Sequence, residues 1–242
     1  MNPANMSAMV LAAGLGTRMR PITDTLPKPL VTVAGRTLLD RSLDALEAVG
    51  VGRAVVNVHH LADQIVTHCA SRVTPEIVIS DEREELLDSA GGIVKSLPLL
   101  GDAPFFLLNA DTFWIDRGEA NLAALADAWD ASRMDMLLML VPVSYTTGHG
   151  TKTDFCRDAD GRLDRARGNR QGFVYAGAAI LDPGIFSDAT ATPHSLNLYF
   201  DRAIERGRLF GHVMDGHWIT VGTPEAIGEA ERAVERFGSQ AS

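Results

Sequence analysis

The stretch Leu11-Ala12-Ala13-Gly14-Leu15-Gly16-Thr17-Arg18-Met19-Arg20-Pro21, followed closely by Pro27-Lys28-Pro29-Leu30-Val31, decides the reading of this chain. Residues 9–13 form an apolar run of the kind that becomes a buried strand, and a short glycine loop follows it directly. Glycine lets backbone N–H groups approach phosphate oxygens with no Cβ in the way. Arg18 supplies a planar fork of donors that fits phosphate, and Lys28 supplies a mobile point charge. The segment therefore carries what is needed to hold a polyphosphate. It is neither of the two commonest phosphate loops. No lysine follows Gly16 in the Walker pattern, and Met19 stands where a dinucleotide fingerprint requires its third glycine.

Outward from this segment, strand-like and helix-like stretches alternate. Apolar runs at 9–13, 54–58, 77–79 and 105–108 read as buried parallel strands. Between them, Leu39, Leu43 and Leu46 share one helical face, 61–69 is a second helix, and 91–97 is a third. Leu122, Leu125 and Trp129 mark a fourth helix before the apolar run 136–143. This alternation predicts an α/β fold, a doubly wound, Rossmann-like, mostly parallel sheet with helices on both faces. After residue 143 the order is less regular. Asp160-Gly161 signals a hairpin within 154–165, residues 173–181 and 212–221 read as strands, and 196–206 as a helix. A last helix follows, with Thr223 as its cap, Pro224 in its first position, and Ile227, Ala230, Val234 and Phe237 on one face. The later segments read as a small β-rich insertion on the same sheet. The expected organisation is a single domain over 1–242, with a core at 8–143, a later part at 144–222 and a C-terminal helix at 223–237.

Bulk properties narrow the function. A formal net charge of -9 argues against a general nucleic-acid or membrane surface, both of which need a basic face. It leaves room for a nucleotide site, where a few local cations act against the global field. Cys69 and Cys156 have neither metal-ligand spacing nor a disulfide framework. The N-terminus lacks the pattern of a signal peptide, and no run approaches a membrane span. A cytoplasmic location is the expectation, and nothing calls for an obligate protein partner. His59 and His60 lack zinc spacing and read as loop residues.

The two-part signature resembles that of the sugar-1-phosphate nucleotidyltransferases, roughly G-x-G-T-R-x-x-P followed by P-K-P-L. Gly14, Gly16, Thr17, Arg18, Pro21, Pro27, Lys28, Pro29 and Leu30 match it. The resemblance implies a fold of the nucleotide-diphospho-sugar transferase type, with a nucleoside triphosphate and a sugar 1-phosphate as partners and Mg²⁺ as cofactor. It implies catalytic roles for Arg18, Lys28 and Asp111. Asp111 closes Asn109-Ala110-Asp111 at the carboxyl end of a strand, where it is the expected metal ligand. Ala12, Ala13, Gly14, Gly16 and Thr17 would contact the nucleotide. Asp88, Gly91 and Gly92, in Asp88-Ser89-Ala90-Gly91-Gly92, resemble the family loop that lies against the base. Asn109, Asp154, Tyr175, Gly177 and Thr220 would form the sugar-phosphate side. Two elements depart from the family pattern. Thr220 stands where relatives carry a second metal carboxylate, so water or a neighbour such as Asp215 would complete the shell. Residues 151–153 separate Gly148-His149-Gly150 from Asp154.

Within the family, the short chain looks most like uridylyltransferases acting on N-acetylmuramate 1-phosphate in cell-wall recycling. On its length, the acetyltransferase domain of bifunctional relatives is not expected. A guanylyltransferase for mannose or heptose 1-phosphate is the first alternative, and a nucleotide-binding regulatory protein without turnover is the second.

Overall fold

The computed structural model describes residues 1–238. In chain order its strands are β1 (Ser7–Leu11), β2 (Thr32–Val33), β3 (Arg36–Thr37), β4 (Arg53–Val58), β5 (Glu76–Asp81), β6 (Phe105–Asn109) and β7 (Thr112–Asp116). They continue with β8 (Met136–Pro142), β9 (Thr146–Thr147), β10 (Phe155–Arg157), β11 (Leu163–Arg165), β12 (Phe173–Leu181), β13 (Leu209–Val213) and β14 (Gly216–Thr220). The α-helices are α1 (Leu38–Ala48), α2 (Ala62–Cys69), α3 (Asp88–Leu100), α4 (Asn121–Asp127), α5 (Asn197–Glu205) and α6 (Pro224–Gly238).

The main sheet is built outward from β1. It pairs in parallel with β4 on one side and β6 on the other, and β4 continues in parallel to β5. Beyond β6 the sheet becomes mixed. β12 runs antiparallel to both β6 and β8, β13 is parallel to β8, and the β10–β11 hairpin is attached at the start of β12. Side chains alternate between the faces as strand geometry demands. Ala8, Val10, Val56, Phe106 and Leu108 join Leu39, Leu43 and Leu46 of α1, Ile65 of α2 and Leu122 of α4 on one face. Met9, Val55, Phe105 and Leu107 join Ile93 of α3 and Phe200 of α5 on the other. The expected helices on both faces are thus present.

A second sheet, in the order β7-β14-β9, and the small β2–β3 hairpin are roofed by α6. Met19, Val31, Val33, Leu38, Phe113, Ile219, Val221, Ala230 and Ala233 form one apolar cluster there. Ile227, Val234 and Phe237 pack against it, so the α6 face is the expected one. Met19 is fully buried, which by the usual transfer value is worth about 1.5–3 kcal/mol. Its neighbour Arg18 is thereby fixed at the root while its head stays in water.

Some boundaries differ from the sequence reading. Residues 212–221 are not one strand. They divide between β13 and β14, which belong to different sheets, because the chain turns at Met214-Asp215. Gly216, at φ 134, passes so close to Ile115 that a Cβ would lie 2.1 Å from its carbonyl oxygen. Helix α3 starts at Asp88 instead of at residue 91, and Trp129 lies just past the end of α4. Both cysteines are free, and burial pushes the Cys69 thiol up to about 11. Among the described residues no helix is long and apolar enough to cross a membrane.

Candidate active site

The central strands β1, β4 and β6 end along one edge, and the loops leaving β1 and β6 part there. Open α/β sheets bind ligands at such a point. A cleft of about 610 Å³ occupies it, and Ala12, Ala13, Gly14, Gly16, Thr17, Arg18, Lys28, Asp88, Asn109 and Asp111 all line it. Residues 91, 92, 154, 175, 177 and 220 do not line it and lie behind or beside it.

The glycine loop is held by specific bonds. Gly16 has φ +62, and a Cβ there would lie 2.9 Å from Thr23 Cγ2 and 3.2 Å from Lys28 Cβ. The Thr23 hydroxyl donates to the Gly16 carbonyl at 2.8 Å, and a His60 ring N–H reaches the Thr23 carbonyl at 2.8 Å. Only glycine both adopts this conformation and fits this space. His60 thus has the loop role expected for it.

The two cations occupy different environments. Lys28, with its side chain 11% exposed, places Nζ 2.6 Å from Asp111 Oδ2, whose side chain is 37% exposed. Asp111 is fixed through its backbone, because Val221 N–H donates to its carbonyl at 3.1 Å and Ala110 N–H donates to the Leu11 carbonyl at 3.1 Å. Arg18 is exposed at the cleft and has no ion-pair partner among the described residues. Gly222 faces its guanidinium, and a Cβ there would lie 3.5 Å from Nη1. A fixed cation–carboxylate pair and a free guanidinium therefore flank one backbone-lined loop.

Asn57 and Glu82, which the sequence reading did not single out, brace that loop, and Asn57 also lines the cleft. Both are buried, at 2% and 1% exposure. Asn57 Oδ1 accepts Ala12 N–H at 2.7 Å, and Asn57 Nδ2 donates to Glu82 Oε1 at 2.7 Å. Glu82 Oε2 accepts Leu87 N–H at 3.2 Å, and a His59 ring N–H donates to the Glu82 carbonyl at 2.7 Å. The sequence signal was available, since Asn57 is the one polar residue in the apolar run 54–58, which leads into the two histidines.

Asp88 opens α3 at φ +59, a conformation that Asp tolerates better than most residues, and lines the cleft. Gly91 and Gly92 were expected at the nucleotide, but they serve close packing. A Cβ on Gly91 would lie 2.2 Å from the Thr192 carbonyl oxygen, and one on Gly92 would lie 2.6 Å from Glu82 Oε1. The first N–H groups of the helix are spent on His194, whose carbonyl accepts Ala90 N–H at 3.0 Å. Ser89 does not cap the helix, because its hydroxyl accepts Leu196 N–H at 2.9 Å.

On the sugar side, β12 is bulged between Tyr175 and Ala179. Gly177 sits in the bulge at φ +75, and a Cβ there would lie 2.5 Å from Thr112 Oγ1 and 3.2 Å from Asn109 Nδ2. Asp154 turns one carboxylate oxygen to Tyr175 N–H at 2.9 Å. The Tyr175 ring does not enter the cleft. It packs edge-on to Phe200, and its buried hydroxyl has no partner. Burial pushes its pKa up, so it stays protonated. Thr220 pairs with Thr112 across β14 and β7, one residue from Asp111. Asp215 begins the other end of this hairpin and is tied to Arg117 at 2.6 Å, so it is not available to a metal beside Asp111.

Among the described residues no three His, Cys, Asp or Glu side chains cluster as a metal site. The described residues thus form no dedicated cage, and Mg²⁺ is commonly held by one or two carboxylates with water and substrate phosphates. Asp111, at the mouth of a loop shaped for phosphate, fits that mode.

A cleft with a glycine loop, two cations and the Asp111 and Asp88 carboxylates at the carboxyl edge of a parallel core suits transfer of a nucleotidyl group. The chain belongs to the nucleotidyl transferase family, whose model matches residues 7–236. It is 44% identical to an N-acetylmuramate alpha-1-phosphate uridylyltransferase of Caulobacter vibrioides, over 96% of this chain and 98% of that one. It is 33% identical to the enzyme of the same name from Neisseria meningitidis serogroup B, over 93% and 97%. The fold is similar to a UDP-glucose pyrophosphorylase solved with UDP-glucose, at a TM-score of 0.78 and 16% identity, over 96% of this chain and 98% of that one.

Proposed function

We propose that the protein joins uridylyl from UTP to N-acetylmuramate 1-phosphate, releasing pyrophosphate, as a step of cell-wall recycling in the cytoplasm. A phosphate oxygen of the sugar attacks the α-phosphorus, the bond from that phosphorus to the bridging oxygen breaks, and pyrophosphate leaves with the electron pair. The nucleophile is already an anion, so no general base is required. The residues align the reactants and neutralise charge. The observation that carries this reading is the Lys28–Asp111 pair beside the free Arg18, around a glycine loop, in a chain so similar to two uridylyltransferases.

Gly14, Gly16 and Thr17 offer backbone contacts to the phosphates, and Ala12, Ala13 and Asp88 line the way to the base. Arg18 holds the β- and γ-phosphates and the departing pyrophosphate. Lys28 binds the α-phosphate and the incoming sugar phosphate. Mg²⁺ supplies charge neutralisation when bound, and Asp111 is the residue that would hold it. Asn109 lines the sugar side, and Gly177, Thr220 and the second carboxylate oxygen of Asp154 serve it from outside the present lining. The division of labour follows the chain, with residues 8–143 serving the nucleotide and 144–222 the sugar.

The test is pyrophosphate release with Mg²⁺ across UTP, GTP, dTTP and CTP against N-acetylmuramate, mannose, glucose and heptose 1-phosphates. Turnover confined to UTP with N-acetylmuramate 1-phosphate supports the proposal. Turnover with GTP and mannose or heptose 1-phosphate replaces it by a guanylyltransferase. Silence with triphosphate binding retained points to a regulatory protein.

A further inference from the structure

The buried Asn57–Glu82 pair joins the two walls of the cleft, with Asn57 at its lining and Glu82 behind it. On one side Asn57 Oδ1 takes Ala12 N–H, the first backbone group after β1. On the other, Glu82 Oε2 takes Leu87 N–H, between Leu86 and Asp88, which both line the cleft. The link between them is the 2.7 Å bond from Asn57 Nδ2 to Glu82 Oε1. The surroundings are shaped for this pair. Gly92 presents a bare Cα to it, and a Cβ would lie 2.6 Å from Glu82 Oε1 and 2.9 Å from Asn57 Nδ2. The His59 bond fixes the Glu82 backbone from a third direction.

We infer that Asn57 and Glu82 are positioning residues that set the spacing between the phosphate loop and the segment 86–89, and so determine nucleotide affinity. A buried acceptor left facing an acceptor, or a donor facing a donor, costs far more than an exposed one. Each backbone N–H here has one side-chain partner, so loss of either side chain releases one wall. The inference rests on the proposal that the cleft takes a nucleoside triphosphate.

The chemistry of the pair allows a decisive exchange. In Glu82→Gln the amide cannot accept from both Asn57 Nδ2 and Leu87 N–H, so one donor faces another. In Asn57→Asp two carboxylates meet in the interior. In the double variant Asn57→Asp/Glu82→Gln, the carboxylate introduced at position 57 accepts from Ala12 N–H and from the amide N–H introduced at position 82. The oxygen of that same amide accepts from Leu87 N–H. Every bond is then restored with the central one reversed, and the net charge is unchanged.

UTP dissociation constants measured by calorimetry without sugar, together with steady-state KM and kcat, test the inference. Each single variant is expected to weaken UTP binding at least about tenfold, and to raise KM for UTP more than it lowers kcat or changes KM for the sugar 1-phosphate. The double variant is expected to return to within about threefold of the wild type. Should a single variant fail to fold, the folded double variant still carries the test. Single variants that bind UTP as the wild type does, or a double variant weaker than either, overturn the inference. Failure of the wild type itself to bind any of the four triphosphates overturns the underlying reading of the cleft instead.

Discussion

Lys28 Nζ lies 2.6 Å from Asp111 Oδ2, joining the segment after the glycine loop to the end of β6. The ammonium has three donors and spends one on this oxygen, so the pair holds a cation at the cleft with capacity for phosphate. Lys28→Ala is expected to lower kcat/KM by about 10²–10³, since removing one preorganised electrostatic donor costs about 2.7–4 kcal/mol. Pyrophosphate release measures it, and turnover within threefold of the wild type would remove Lys28 from the chemistry. Asp111→Asn is expected to raise the Mg²⁺ concentration needed for half-maximal turnover.

Arg18 is the reverse case. Its head makes no ion pair among the described residues, so it gives the fold little. Arg18→Ala is expected to cost activity about as much as Lys28→Ala, while stability changes by no more than about 0.5 kcal/mol, as for other surface substitutions. Arg18→Lys should recover only part of the loss, because an ammonium lacks the planar fork. Parallel turnover and thermal denaturation measurements separate the two effects. A large fall in Tm would mean that Arg18 is structural.

Thr220 neighbours Asp111 through the Val221 N–H bond and the pairing of β14 with β7. Thr220→Asp adds a second carboxylate at this edge. Titration of activity with Mg²⁺ should show half-saturation at a severalfold lower concentration than in the wild type. An unchanged titration would mean that position 220 stands apart from the metal.

Gly177→Ala tests the bulge in β12. It places a Cβ 2.5 Å from Thr112 Oγ1 at a backbone φ of +75. Strain of this kind costs on the order of 1–3 kcal/mol, and each kcal/mol lowers Tm by about 2–4 °C in a chain of this size. Thermal denaturation reads it directly, and a wild-type Tm would contradict the described contact.

The parts of this molecule legible in the sequence are those with local causes. The strands β1, β4 and β6 are short apolar runs, and the loop after β1 carries its glycines and cations in consecutive positions. Asp111 was legible because it ends such a run. What escaped depends on partners far apart in sequence. Glu82 looks like one acid in the charged stretch 81–85, and only the fold buries it beside Asn57. Gly91 and Gly92 looked like a nucleotide loop because glycine signals close approach without saying to what. Here the approach is to the Thr192 carbonyl and to Glu82. Residues 212–221 read as one strand because both pieces are apolar, while the turn at Met214-Asp215 assigns them to separate sheets.

His217 links stability to pH through the packing of α6. Its ring stacks on Phe237 with centroids 3.9 Å apart, and Nε2 lies 2.8 Å from Thr147 Oγ1. Burial, and then the charge of Arg236, lower its pKa below the ordinary 6.5. His212 in β13 is lowered in the same way, by burial and then by Arg157. For a base depressed in the folded state, the unfolded chain takes up its proton first as pH falls. Stability is therefore full above about 6.5 and is lost as pH falls from there through the folded-state values. Urea unfolding between pH 8 and pH 5 should show a decreasing unfolding free energy below about 6.5. Carboxylates held low in the fold, such as Asp44, lose their contribution only at more acid pH. His217→Gln removes one of the two groups, and its curve should be flatter than that of the wild type over this window. A slope equal to the wild type's would mean that the imidazole is not held neutral between Phe237 and Thr147.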